Sequence, residues 1–222
     1  MSTRMKLWLF PALLYVVFVA WYTDFGGPLS DEEVDQFVRV MTGNGVAPDK
    51  VDYYARFLRN DTGRQFLMVN NIDMNESPPV VEGAPTNADA DTLMDLYMGH
   101  MIPELLKRAC HPVIMGPAIY PAIDLSGIEG AAQWTDAALF RYRSRRSFME
   151  IISNPGILGP HDFKLAALDK TIAYPIETSI FLGDPRLLLG LILLALTALT
   201  ESWRMSRTAV NRQSLSAQED SK

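Results

Sequence analysis

A long apolar segment near each end of the chain limits what this sequence can fold into. Residues 7–22 carry no charged side chain. As a helix they extend roughly 24 Å, against a bilayer core of about 30 Å. The second segment, residues 185–203, is long enough to span if Arg186 and Glu201 lie near the two interfaces. The sequence therefore predicts a transmembrane helix at each end and a polar domain between them.

Each apolar segment also has an alternative interpretation. The first has the basic-then-apolar order of a cleaved signal peptide, but residues 17–21 lack the small-residue pattern of a cleavage site. The second also fits a buried core helix of a soluble domain, although it is apolar on every face rather than along one stripe. Uncleaved membrane anchors account better for both segments.

The positive charges outside the two segments predict an orientation. Basic residues precede the first segment and follow the second, at Arg4, Lys6, Arg204, Arg207 and Arg212. By the positive-inside rule, residues 1–6 and 204–222 lie in the cytoplasm, and the central domain lies in the periplasm of a bacterial-type inner membrane. Residues 204–222 are polar, so we expect this tail to be disordered.

The central region contains a helical lead-in followed by an α+β pattern. Over residues 30–60, a capping box at Ser30 and Glu33 and a proline at position 48 predict two short helices. Over residues 63–178, hydrophobic periodicity predicts the order strand, helix, strand, strand, helix, strand. The predicted strands are residues 65–74, 113–123, 134–143 and 171–177, and the predicted helices are residues 89–108, 144–152 and 160–169.

This order is that of a ferredoxin-like βαββαβ domain, with a four-stranded antiparallel sheet and helices on one face. Such a sheet leaves its other face uncovered. A homodimer that covers this face is the simplest expectation.

Two stretches of the central domain resemble a known group of proteins. Residues 140–155 (FRYRSRRSFMEIISNP) and 161–175 (HDFKLAALDKTIAYP) are similar to an uncharacterised family of the dimeric α/β-barrel superfamily. In that family a helix carries His-x-x-Arg-x-x-Ala-Leu; here His161 matches and Lys164 replaces the arginine. The resemblance implies a ferredoxin-like dimer. The superfamily includes cofactor-independent monooxygenases, haem-degrading enzymes and isomerases, and fold does not determine which activity applies.

Several residues are candidates for a functional site. Asp136 lies on the aromatic face of a predicted strand and would be a base if buried, and His161 is a second candidate catalytic residue. Four arginines could gather an anion beside the helix start at Ser144, although a solvated face explains them as well. These arginines are Arg141, Arg143, Arg145 and Arg146. Tyrosines and methionines of the region could line an apolar ligand pocket or form the core.

Other classes of function are disfavoured. The spacing of His100, Cys110 and His111 matches no closed zinc site, so neither a metal nor another cofactor is predicted. The formal net charge of −6 argues against a nucleic-acid partner. Three hypotheses remain: a membrane-anchored dimeric module that binds a small apolar or anionic ligand or a partner, a cofactor-independent monooxygenase-like enzyme, and a structural or assembly subunit of a membrane complex.

Overall fold

The computed structural model describes residues 2–158 and 160–219, which form two units. The first unit consists of the two ends of the chain, up to Tyr22 and from Ile180 onward, and the second of residues Thr23–Ser179. In chain order the elements are α1 (Thr3–Tyr22), α2 (Asp31–Gly43), α3 (Pro48–Arg59), β1 (Phe66–Met74), α4 (Ala90–Lys107), β2 (His111–Pro117), β3 (Asp136–Tyr142), α5 (Arg145–Ile152), α6 (Pro155–Leu158), α7 (His161–Ala167), β4 (Leu168–Ile176) and α8 (Pro185–Glu219).

Helices α1 and α8 pack against each other in antiparallel orientation within the first unit. The Arg4 guanidinium forms an ion pair with Glu201, and the Trp8 indole N–H donates to the same carboxylate at 3.0 Å. At the other end of α1, the Arg186 guanidinium lies 5.5 Å from the centre of the Tyr22 ring. The beginning of α1 therefore meets the later part of α8, and the end of α1 meets the beginning of α8.

Both terminal helices are long and apolar enough to cross a membrane. Their exposed surface is rich in large apolar side chains, among them Leu13, Val16, Leu191 and Leu199. Exposing such a surface to water is unfavourable, whereas the hydrocarbon core of a bilayer accommodates it. The two predicted apolar helices are therefore present, at Thr3–Tyr22 and within Pro185–Ala209.

The predicted disordered tail differs from the structure. Helix α8 continues to Glu219, so residues 204–219 are helical, while residues 220–222 lie outside the described residues. Polar composition suggested disorder, but the stretch contains no glycine or proline and is rich in good helix formers such as alanine, arginine and glutamine. A helix that has already begun in the apolar segment can extend through such residues at little cost.

The lead-in forms two amphipathic helices that pack on the central domain. At α2 the Ser30 side chain accepts from the backbone N–H of Glu33, and the Glu33 carboxylate accepts from the backbone N–H of Ser30. Helix α3 begins at Pro48, where the missing proline N–H costs nothing. The buried faces of α2 and α3 carry Val34, Met41, Val51, Ala55 and Leu58.

The four strands form one antiparallel sheet in the order β2-β3-β1-β4. The fold is thus α+β, as the sequence predicted. Strand β2 ends at Pro117, earlier than expected, because the prolines at positions 117 and 121 cannot donate to a strand ladder. Strand β3 starts at Asp136 rather than Trp134, whose indole N–H instead donates to the Ala131 carbonyl at 2.8 Å.

The two faces of the sheet have different surroundings. One face, which we call the helix-facing side, packs through Phe66 and Tyr142 on Phe148 of α5, and the three rings stack or meet edge to face. The opposite face, which we call the open face, carries large side chains that remain exposed in the single chain. These are Ile114, Ile172, Tyr174 and Ile176.

Candidate functional site

A cavity of about 730 Å³ lies between the helix-facing side of the sheet and the helices of the second unit. Seven of the eleven methionines line it: Met41, Met68, Met74, Met94, Met98, Met101 and Met115. Methionine is flexible and polarizable, so a wall built from it adapts to ligands of different shape. Cavities of this size and lining are typical of small-molecule sites.

Small side chains at the centre of the sheet leave the space for this cavity. Asn70 on β1 pairs with Ala138 on β3 and with Ala173 on β4, so three short side chains stand in a row on the helix-facing side. The Asn70 amide donates to the carbonyls of Met68 and Ala138, at 3.1 and 3.3 Å. Ala173 on the edge strand is exposed, and it marks one border of the cavity that is open to solvent.

Polar groups gather at one part of the cavity wall, around Tyr97. The Lys164 ammonium lies 5.7 Å from the centre of the Tyr97 ring, and the His161 ring meets Tyr97 edge to face with a centroid distance of 6.1 Å. Lys50 from α3 lines the same cavity. The Lys164 ammonium makes no hydrogen bond or ion pair with any residue that the structure describes.

Burial changes the proton affinity of these groups. It lowers the pKa of Lys164 and raises the pKa of Tyr97 to about 12. The pKa of His161 is lowered, first by partial removal from water and then by the positive charge of Lys164. We call the part of the cavity wall around Lys164, Lys50 and His161 the cationic corner. Protonation of His161 beside the Lys164 ammonium is unfavourable there.

The two candidate catalytic residues both line the cavity. Asp136 stands at the start of β3 and is half-buried, while His161 begins α7 and is exposed. Two candidate residues from different elements thus border one cavity. In the sequence, Lys164 stands out only because it replaces the arginine of a family pattern. Its spacing of three from His161 on one helix was the available signal for a shared face.

The four candidate arginines serve different partners rather than one site. Arg146 pairs bidentately with Glu33, at 2.7 and 3.3 Å, and with Asp24 at 3.1 Å. Arg145 binds Asp61, Glu177 and the Phe57 carbonyl.

The other two arginines also have protein partners. The buried Arg141 donates to the Gln65 side chain and the Ala109 carbonyl, and Arg143 donates to the Ser147 hydroxyl at 3.3 Å. This arrangement favours a structural role for the arginines over the predicted anion site, and it differs from the solvated face that was the alternative.

The remaining histidines and the cysteine lie on separate elements. His100 on α4 and His111 on β2 each contact a backbone carbonyl through Nδ1, at 2.8 Å. Cys110 is buried, and burial raises the pKa of its thiol. Within the described residues, no three His, Cys, Asp or Glu side chains are placed to share a metal ion.

Comparison with known proteins gives structural similarity alone. No family model matches the sequence, and no curated protein matches it. A protein of unknown function from Rhodopseudomonas palustris has 17% sequence identity over 59% of this chain and 94% of its own, with a TM-score of 0.48. A methylated form of that protein has 18% identity over 58% and 91%, with a TM-score of 0.49. A protein from Arabidopsis thaliana has 16% identity over 52% and 97%, with a TM-score of 0.33.

Proposed function

We propose that this chain is a membrane-anchored protein whose central domain binds a small, largely apolar molecule. The methionine-lined cavity of about 730 Å³ carries the proposal. Protein interiors are normally packed with few voids larger than a water molecule. A cavity of this size, bordered by a few polar groups, has the features of a ligand site.

The proposed setting is a bacterial-type inner membrane. Helices α1 and α8 cross it as a hairpin, both termini lie in the cytoplasm, and the central domain lies in the periplasm. The support is the length and apolar surface of the two helices, their antiparallel packing, and the cationic residues outside them.

We also propose that the central domain is a ferredoxin-like member of the dimeric α/β-barrel superfamily. The strand order β2-β3-β1-β4 and the resemblance of residues 140–175 support this assignment. A second copy would cover the exposed apolar side chains of the open face. The cavity, on the other side of the sheet, would remain accessible in such a dimer.

The test is binding of an apolar ligand to the full-length protein in lipid nanodiscs. We expect the neutral fluorescent probe N-phenyl-1-naphthylamine to bind with saturable fluorescence above that of empty nanodiscs. Ala173→Trp places an indole in the open border of the cavity and should abolish the saturable part. Val80→Trp, at an exposed loop position away from the cavity, should bind as the parent does. Equal binding by the parent and Ala173→Trp would contradict the proposal.

A cofactor-independent monooxygenase-like enzyme is the second candidate, because Asp136 and His161 both border the cavity. An aspartate and a histidine in one apolar cavity are a plausible pair for proton abstraction from a bound substrate. An oxidised product formed from a retained ligand by the parent, but not by Asp136→Asn with unchanged binding, would support the enzyme. Native mass spectrometry of the detergent-extracted protein identifies a retained ligand and any stoichiometric partner.

A further inference from the structure

The charged and polar side chains at the cationic corner indicate which class of ligand the cavity favours. Lysine is rarely buried unless it is paired, because removing an ammonium from water is costly. Lys164 is half-buried, and no described carboxylate forms an ion pair with it. Among the described residues, the ammonium lies over the face of the Tyr97 ring. An anionic group on a ligand is the partner that suits this environment.

The neighbouring charges reinforce this preference. Lys50 from α3 and His161 from α7 line the cavity with Lys164, and Lys50 adds to the local positive potential. The acidic groups are Asp91 on α4 and Asp136 on β3, which line the cavity, and Asp162 beside His161; none of the three forms an ion pair with Lys164. The rest of the wall is dominated by methionine and aromatic side chains. A bound molecule therefore meets a cationic corner next to an extended apolar surface.

We propose that the cavity binds an amphiphilic carboxylic acid, with its apolar body among the methionines and its carboxylate on Lys164. Lys50 adds positive charge at the same part of the cavity wall. The inference rests on the proposed ligand-binding function and specifies its chemistry. A free fatty acid presents this carboxylate to the site, whereas the acyl groups of an intact phospholipid are esters and do not.

The test compares ligands that differ only at the head group. Dodecanoate and dodecanol are titrated against the full-length protein in nanodiscs of zwitterionic lipid, with empty nanodiscs and Ala173→Trp as backgrounds. A charge-assisted hydrogen bond favours the acid, so we expect it to bind about tenfold more tightly than the alcohol. Lys164→Met should remove this preference and leave dodecanol binding unchanged, whereas Lys164→Arg should retain it. Lys107→Met removes an exposed lysine on α4 and should behave as the parent does.

The outcomes separate the two proposals. If neither compound binds saturably, the proposed function itself is wrong. If both bind equally and Lys164→Met changes neither affinity, the cavity binds apolar molecules but the carboxylate assignment is wrong. Should Lys164→Met fail to fold, Lys164→Gln and Lys164→Arg provide the comparison. Extraction of the purified protein, followed by negative-ion mass spectrometry, distinguishes a free acid from an intact phospholipid as the retained molecule.

Discussion

At the scale of single residues, Arg146 shows that the role of a charged side chain depends on its partners in the folded structure. In sequence, four arginines near Ser144 suggested an anion site. In the structure Arg146 is held by Asp24 and Glu33, which precede it by more than a hundred positions. Gly26 permits this contact, since a Cβ there would lie 2.8 Å from the guanidinium. The guanidinium therefore joins the segment after α1 and the start of α2 to the first turn of α5.

Replacing Arg146 should destabilise the central domain. Arg146→Met leaves the partly buried Asp24 and the more exposed Glu33 without their cationic partner, and we expect a loss of about 1–2 kcal/mol in unfolding free energy. The matched control is Arg59→Met, which breaks an exposed pair with Asp35 and should cost less than about 0.5 kcal/mol. Thermal unfolding followed by near-ultraviolet circular dichroism measures both. Equal losses in the two variants would contradict this role for Arg146.

The same ion pairs predict a dependence on acid. Hydrogen bonds from Arg146 and from the Ser30 backbone lower the pKa of Glu33 from 4.5 to about 2. Burial opposes a similar shift of Asp24, but hydrogen bonds from Ser144 and Gly26 and the charge of Arg146 still lower its pKa.

Because both carboxyl pKa values are depressed in the folded state, their contribution to stability is complete above the unfolded values and is lost as the pH falls toward 2. The stability difference between the parent and Arg146→Met should therefore shrink as the pH falls through this range. Urea unfolding at several pH values measures it. A difference that is the same at neutral and acidic pH would show that Arg146 acts by packing alone.

At the scale of elements, the sheet forms two different surfaces, the cavity wall and the open face, because its side chains alternate between its two sides. On β4, Ala173 and Pro175 border the cavity, while Ile172, Tyr174 and Ile176 extend from the open face. Residues of one strand alternate between the two sides of a sheet. Substitutions at neighbouring positions of β4 should therefore affect ligand binding and association separately.

We expect Tyr174→Asp to convert the proposed dimer to a monomer, because a carboxylate would be desolvated at an apolar interface. Probe binding in the cavity should persist in the variant. Val80→Asp introduces the same charge at an exposed loop residue and should leave the oligomeric state unchanged. Native mass spectrometry of the detergent-solubilised protein distinguishes the two states. A parent protein that is already monomeric would rule out the dimer.

At the scale of the whole molecule, the antiparallel contacts of α1 and α8 place the two chain ends on the same side of that helix pair. Glu201 binds both Arg4 and Trp8, and Gly190 lies against the Tyr15 ring, where a Cβ would approach to 3.3 Å. Two spanning helices paired in this way put both termini on one side of a bilayer.

Alkaline phosphatase fusions test the proposed orientation. The enzyme is active only outside the cytoplasm, so a fusion after Lys222 should be inactive and a fusion in the loop at residues 77–88 should be active. The phosphatase activity of each fusion is divided by its expression level on immunoblots. An active C-terminal fusion would place the tail outside and reverse the topology.

Sequence by itself determined the features that depend on local patterns. Two uncharged apolar runs predicted the terminal helices, the capping box at Ser30 predicted the start of α2, and alternation predicted the α+β order of strands and helices. These signals are local because helix caps, strand alternation and membrane length each involve residues that are close along the chain.

Only the tertiary structure decided which side chains share a site. It aligned Asn70, Ala138 and Ala173 across three strands to open the cavity, placed Lys164 and His161 against Tyr97 from another helix, and paired the arginines with distant carboxylates. A polar residue has the same local signature whether it faces solvent, a partner or a cavity. Its role was therefore settled by strand register and helix packing, which bring together residues separated by tens of positions.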